Sequence, residues 1–284
     1  MAGVVRRGAG GLRMMGMSPW MWPAVAFALL LCVAALVRRR FLLAAGFVAY
    51  GLLAVWLSAA DAPLPRFVAP LLVLVAGYWL TAPFYTRASP ELEAWLMRGD
   101  HRLEVDRFAA AAPRWFGSAM EAAYAGCYPF IVVAAIPAFR HSADAFAWHW
   151  TLVLSAELAC YVTLPWLQAR PPRELRNSTR LIFPGSDSLN REKSTGSNFL
   201  RRFNERVLRH LSVRATTIPS GHVAGPVAAS LAAWMIAPEY GPWLLAGAAA
   251  ITAATVIGRY HYAIDALLGA LVGALPPAVR AFWL

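Results

Sequence analysis

The residues whose types and spacing best suit chemistry lie between Thr216 and Asp265, where two histidines bracket an apolar stretch. The first stands in Ile218-Pro219-Ser220-Gly221-His222, a proline, a small hydroxyl residue and a glycine at an expected helix start. Free N–H groups at such a start, reinforced by the helix dipole, make a ready anion site. Gly221 lets the backbone approach a ligand closely, and Ser220 either caps the helix or donates to an oxyanion. On its own this is also what a capped helix with an interfacial histidine looks like. The second histidine, His261, precedes Asp265 by four residues, so on one helical turn the two share a face and can touch. A carboxylate on one imidazole nitrogen fixes the tautomer and leaves the other nitrogen as a nucleophile. A structural hydrogen-bonded pair at a membrane border is the plain alternative. A third piece is Gln168-Ala169-Arg170-Pro171-Pro172-Arg173, in which the prolines stop a helix and leave Arg170 and Arg173 at its end. Snorkelling arginines would look the same. With Arg259 added, however, several arginines converge on the histidines.

The elements that must position these groups belong to a membrane. The chain has 284 residues, of which 59% are hydrophobic and 14% charged, well below the roughly 25% charged residues of soluble domains. Its formal charge of +11 is almost all arginine, Lys193 being the lone lysine. The guanidinium fork suits phosphate and never deprotonates. Because these arginines are scattered between apolar runs, they favour anionic head groups or a phosphorylated substrate over nucleic acid. Cys32, Cys127 and Cys160 sit inside apolar runs without metal-ligand spacing and read as small buried hydrophobes. No cofactor is expected.

Eight apolar stretches, 14–37, 41–60, 67–86, 117–139, 145–169, 221–238, 240–258 and 264–279, are each close to the length that crosses a bilayer. Only helices and closed barrels satisfy the backbone in lipid, so the expected fold is an all-α integral membrane bundle. The basic residues ahead of the first stretch also suit a signal peptide, but the run is long and Arg38 to Arg40 follow it, so it reads as an uncleaved anchor. Segment 91–113 mixes charge with Leu, Trp, Val and Phe and suits the interface. Phe199, Phe203, Val207 and Leu211 are spaced for a short interfacial helix. Residues 1–115 form an N-terminal unit of spans plus the interfacial segment, and 116–284 the catalytic membrane domain. Counting spans places the loop 170–218, the start of the sixth stretch and the turn 258–265 on one membrane face, so His222 and His261 return to the same surface. Arginines concentrate there, and the positive-inside rule makes that face cytoplasmic, as in a bacterial-type inner membrane. Glu121 and Glu157 lie inside spans, where an acid is functional by default. Hydrogen bonding within the bundle explains them as well, Tyr161 following Glu157 by four residues, and both are left outside the site.

Taken together, these pieces resemble the type 2 phosphatidic acid phosphatase superfamily, which is related to the vanadium haloperoxidases. That family carries Lys-x6-Arg-Pro, Pro-Ser-Gly-His and Ser-Arg-x5-His-x3-Asp motifs in this order. The resemblance spans residues 145–279. Pro219 to His222 match in full, His261 and Asp265 match the last motif, and Arg170-Pro171 match the first. It implies that His261 attacks phosphorus to form a phosphohistidine, that Asp265 orients it, and that His222 protonates the leaving oxygen. Arg170, Ser220 and Gly221 would hold the phosphate, without a metal. Two positions depart from the pattern. Thr163 replaces the lysine and Thr255 the third motif's arginine, making Arg173 and Arg259 candidate substitutes. The form His-Tyr-Ala-Ile-Asp looks more like the inositolphosphorylceramide and sphingomyelin synthase branch. The resemblance therefore implies a lipid phosphate or diphosphate phosphatase, with a phospho-head-group transferase as the alternative. A non-enzymatic lipid-binding or transport scaffold would predict drifted site residues, whereas His222, His261 and Asp265 are all present. The lipid itself, the oligomeric state and the role of the N-terminal spans are not specified by the sequence.

Overall fold

Apolar runs of bilayer length leave the backbone no partner but itself, and the chain folds accordingly into helices. The computed structural model describes residues 17–59, 62–105, 107, 113–175, 198–213 and 215–283. The basic start of the chain and most of the polar loop, 176–197, lie outside the described residues. The α-helices are α1 (Met21–Val37), α2 (Phe41–Ser58), α3 (Pro63–Leu80), α4 (Pro90–Arg102), α5 (Arg114–His141), α6 (Ala143–Val162), α7 (Asn198–Leu211), α8 (Gly221–Ile236), α9 (Gly241–Ile257) and α10 (Ala263–Trp283). Five of them, α2, α3, α5, α9 and α10, contain segments long and apolar enough to cross a membrane, while α1 and α8 are apolar but shorter. The protein is a multi-pass helical membrane bundle.

Element ends differ from the sequence reading where prolines act. Pro63 opens α3 instead of ending the segment before it, because a first-turn residue has no intrahelical N–H bond to lose. At the other end of the bundle α6 stops at Val162, and the stretch from Leu164 to Arg170 turns along the bundle's end instead of prolonging the span. Here Gln168 Nε2 donates to the carbonyls of Phe84 and Leu164 (2.7 and 3.2 Å), and its Oε1 accepts from the backbone N–H of Thr86 (3.0 Å). Arg38 and Arg40 reach the same region, donating to the carbonyls of Pro165 and Pro83.

The centre of the bundle is α6, which packs against α1, α3, α5, α8 and α10. Phe146, Trp150, Val153, Leu154, Ala156 and Leu158 along it are all buried. A helix that faces protein on all sides can carry His149 and Glu157 without showing them to hydrocarbon. The perimeter does the opposite: Leu42, Trp56, Trp243 and Phe282 are exposed, as lipid-facing side chains must be.

Close approach between α8 and α10 depends on two glycines one turn apart. A Cβ on Gly269 would lie 2.5 Å from the Ser220 carbonyl oxygen, and one on Gly273 2.5 Å from that of Ala224. Small residues at this four-residue spacing let helix backbones meet within a membrane, and α8 begins with the Ser220-Gly221-His222 stretch. Gly273→Leu should force the pair apart at a cost of about 1–3 kcal/mol. The expected result is a lower melting temperature in detergent with turnover lost in the same variant. An unchanged melting curve would contradict this packing.

Candidate active site

His261 owes its place to the turn between α9 and α10. The N–H groups of Tyr260 and His261 both donate to the Thr255 carbonyl, at 2.9 and 3.0 Å. Arg259, just before them, adopts the left-handed conformation (φ 61°), unusual for a residue with a long side chain. Asp100 of α4 holds that turn from outside. Its Oδ2 accepts from Arg259 Nη1 at 2.6 Å, and its Oδ1 accepts from the Ala263 N–H at 2.8 Å. The second bond satisfies one of the orphan donors at the start of α10.

So placed, the His261 ring lies 2.9 Å through Nδ1 from Thr216 Oγ1 and 3.3 Å from Asp265 Oδ2, while Nε2 faces His222 Nδ1 at 3.2 Å. Asp265 is 0% exposed. A buried carboxylate beside Nδ1 favours the proton there, which leaves the lone pair on Nε2. Thr216 arrives through a two-residue bridge, its N–H donating to the Ala169 carbonyl at 2.9 Å. That bridge also sets Arg170 next to the site.

His222 is fixed from the other side. The Ser220 N–H donates to the Asp265 carbonyl at 3.0 Å, and the Gly221 N–H to Thr217 Oγ1 at 3.1 Å. Ser220 Oγ is buried and has no partner, so it does not cap α8. The His222 ring stacks on Tyr124 at 5.5 Å, and Tyr124 lies face to face with Tyr260 at 3.5 Å. The Arg173 guanidinium covers the far face of Tyr260 at 4.4 Å, a cation–π contact. Glu121 anchors this column, accepting from the Tyr260 hydroxyl (2.5 Å) and from Asn204 of α7 (2.7 Å).

The three arginines named from the sequence take different partners. Arg170 is bound in bidentate fashion by Glu93 of α4, Nε to Oε1 at 2.9 Å and Nη2 to Oε2 at 2.8 Å, with its backbone N–H on the same Oε1. Arg259 pairs with Asp100. Arg173 shares Glu205 with Arg201, each at 3.2 Å, but its Nη1 is buried and has no partner among the described residues. Glu93 and Asp100 are both buried on one face of α4. The helix expected at the interface therefore turns its inner face onto the site. Burial pushes the Glu93 carboxyl up, but the Arg170 bonds outweigh it and hold the group below its ordinary value of 4.5. The same bonds raise Arg170. Tyr262, kept protonated by burial, donates to the Arg170 carbonyl at 2.9 Å. At the two departures from the family pattern, Thr163 and Thr255 donate to carbonyls of their own helix ends, those of Cys160 and Thr252.

Both histidines, Thr216, Thr217 and Arg173 line one cavity of about 510 Å³, whereas neither Arg170 nor Arg259 does. Such a volume is ordinary for a small-molecule site. Apolar residues of α3, α5 and α7 form its outer walls, among them Leu74, Ile131 and Phe203. Compared with known families, residues 91–277 match the family model described as the PAP2 superfamily, about two-thirds of the chain. The chain belongs to the PAP2 superfamily. No curated protein and no solved structure matches it. PAP2 membership supports a phosphatase-type enzyme in a membrane. The PAP2 match opens at α4, so the helix bearing Glu93 and Asp100 falls inside it, while α1 to α3 precede it.

Sequence reasoning left out Glu93, Asp100 and Thr216. A local signal existed only for the acids, which are seven residues apart and so two turns along one helical face. Asp100→Ala should cost about 3–5 kcal/mol by stranding a partly buried arginine, and turnover should fall at least tenfold because the His261 turn loses its brace. Thermal unfolding and kcat of the purified variant check this. The Glu93 clamp has its own pH signature. Its carboxyl is depressed on folding, so its stabilisation is complete above the ordinary carboxylate value and is lost as pH falls through the lowered one. Glu93→Gln should therefore lower the melting temperature at pH 7, with the difference from wild type shrinking on acidification below pH 4.

Proposed function

We propose that this protein is a membrane-embedded lipid phosphatase that works through a phosphohistidine on His261. The observation that carries the reading is the state of that ring: Nδ1 is engaged by Asp265 and Thr216, and Nε2 faces His222 beside an open cavity. A phosphoryl group entering the cavity displaces the bond between the histidines and comes within reach of both. Nε2 attacks phosphorus as the bond to the lipid oxygen breaks, and His222 delivers a proton to that oxygen. Water then enters. His222 removes its proton, the water oxygen attacks phosphorus, and inorganic phosphate leaves with Nε2 restored. General acid–base assistance of this kind contributes about 10²–10⁴-fold.

Arg173 Nη1 and Ser220 Oγ, buried and unpartnered, are suited to the nonbridging oxygens, and Gly221 leaves room for them at the start of α8. Donors held in place before charge develops stabilise the transition state without reorganising. Arg170 and Arg259, neutralised by their α4 carboxylates, brace the site from behind. The substrate in this reading is a lipid phosphate or diphosphate whose hydrocarbon lies along α3, α5 and α7. Thr163 and Thr255, which replace the family's lysine and arginine, favour a second reading, in which His261 carries a phospho-head group and a lipid alcohol replaces water.

His261→Ala should abolish turnover, at least a thousandfold, on any lipid the wild type accepts. His222→Ala should slow it by about 10²–10⁴-fold. Protein quenched in alkaline detergent should carry label from a ³²P-labelled lipid on His261, and acid should remove it, because an N–P bond is stable to base and hydrolysed by acid. A histidine labelled with the whole head group, with new lipid formed and no phosphate released, would decide for the transferase. Wild-type turnover in His261→Ala would sink both.

A further inference from the structure

The mechanism leaves one buried carboxyl unused. Glu157 of α6 is 3% exposed and lines the same cavity as the two histidines. Its Oε2 accepts the Tyr161 hydroxyl at 2.6 Å, and among the described residues no basic side chain pairs with it. The other buried acids contrast with it. Glu93 is held by Arg170, Asp100 by Arg259 and an N–H, Asp265 by His261, and Glu121 by Asn204 and Tyr260.

Room for this carboxyl is built into α8. A Cβ on Gly225 would fall 1.9 Å from Glu157 Oε1, and one on Gly221 2.9 Å from Oε2. The carboxyl thus rests on the first turn of α8, against the two glycines that flank His222. Removing a carboxylate from water is costly unless a counter-charge meets it, and the helix start offers only part of one. A cation in the cavity would supply the remainder, and without one the carboxyl takes up a proton.

Its surroundings say what kind of group that is. Tyr78, Tyr124, Tyr128, Tyr161 and Tyr260 line the cavity with Glu157. Three of their hydroxyls already have partners: Tyr78 accepts from the Val213 N–H at 2.8 Å, Tyr161 donates to Glu157, and Tyr260 donates to Glu121. The faces of Tyr124 and Tyr260 are taken by His222, by each other and by Arg173, so the ring surface that remains belongs to Tyr78, Tyr128 and Tyr161, and such surface attracts cations.

We propose that Glu157 and the tyrosines around it bind an ammonium group carried by the substrate beside its phosphate, making the preferred substrate an amine-bearing phospholipid. The inference rests on the phosphatase reading of His261. Two sources supply this chemistry. The ammonium belongs either to the lipid alcohol, as in a sphingoid-base phosphate, or to an aminoalkyl head group.

The test uses the full chain in detergent micelles, with His261→Ala to hold substrate without turnover. A sphingoid-base phosphate should bind at least tenfold more tightly than its N-acetyl derivative, which lacks the charge. Glu157→Gln in the same background should reduce that ratio to about twofold or less. Equal binding of these two lipids to the His261→Ala protein, together with equal binding of phosphatidylethanolamine and its N-acetyl derivative, overturns the proposal, and it does so without any variant at position 157. A Glu157→Gln protein that weakens both lipids by the same factor overturns it as well. Should Glu157→Gln fail to fold, Glu157→Asp keeps the charge and should keep a preference for the amine. Wild-type turnover separates the sources: phosphate release from the sphingoid-base phosphate places the ammonium on the lipid alcohol, and diacylglycerol release from phosphatidylethanolamine places it on the head group. If turnover instead proves independent of His261 while the binding preference stands, the phosphohistidine reading fails and the ammonium site survives it.

Discussion

Asp265 holds both histidines from a single position. Its carboxylate faces His261 Nδ1, and its backbone carbonyl takes the Ser220 N–H two residues before His222. The carboxylate is fully buried, and a charge so placed is tolerated only where partners meet it. The arrangement consequently admits little slack. The α8–α10 contact must be close enough for Ser220 to reach Asp265, which is the reason for glycine at 269 and 273. The turn before α10 must deliver His261 to the right side, which is the task of Asp100. What looks like a pair of histidines is a junction of two helices and a loop.

Much of the fold was legible because a membrane simplifies the code. Long apolar runs become helices whatever their detailed order, so the eight stretches in the sequence each overlap a helix, with ends that differ. His261 and Asp265 were legible for a similar reason, since four residues within one turn bring side chains together. The motif order then identified the superfamily. The rest depends on contacts between distant parts of the chain. Glu93 meets Arg170 across 77 residues and Asp100 meets Arg259 across 159, and no local pattern encodes such a meeting. Arg170 therefore looked from the sequence like a free phosphate ligand, whereas in the fold its guanidinium is bound to a carboxylate. Arg173, named only as a substitute, is the arginine that lines the cavity. Helix ends were misjudged where proline was read as a stop without asking on which side of it the helix lay.

The cavity is shared between parts of the chain with different standing. Its chemical end comes from α8, from the turn before α10 and from the segment after α6, all inside the superfamily match. One of its outer walls comes from α3, which precedes that match. Trp79 and Tyr78 of α3 bond the carbonyl of Leu211 and the N–H of Val213, at 2.9 and 2.8 Å, tying the wall to the end of α7. The cavity thus combines walls from inside the superfamily match with one wall from outside it.

The position of α6 has a consequence for how the molecule is made. This helix carries Asp144, His149 and Glu157 and is at home only when surrounded. Helices α1, α3 and α5 precede it in the chain, but α8 and α10, which cover its other side, emerge from the ribosome later. During synthesis a helix with two titratable groups in its buried middle must therefore wait half-covered beside its earlier neighbours. Insertion of the last three helices then completes its burial and closes the catalytic junction in a single event of assembly.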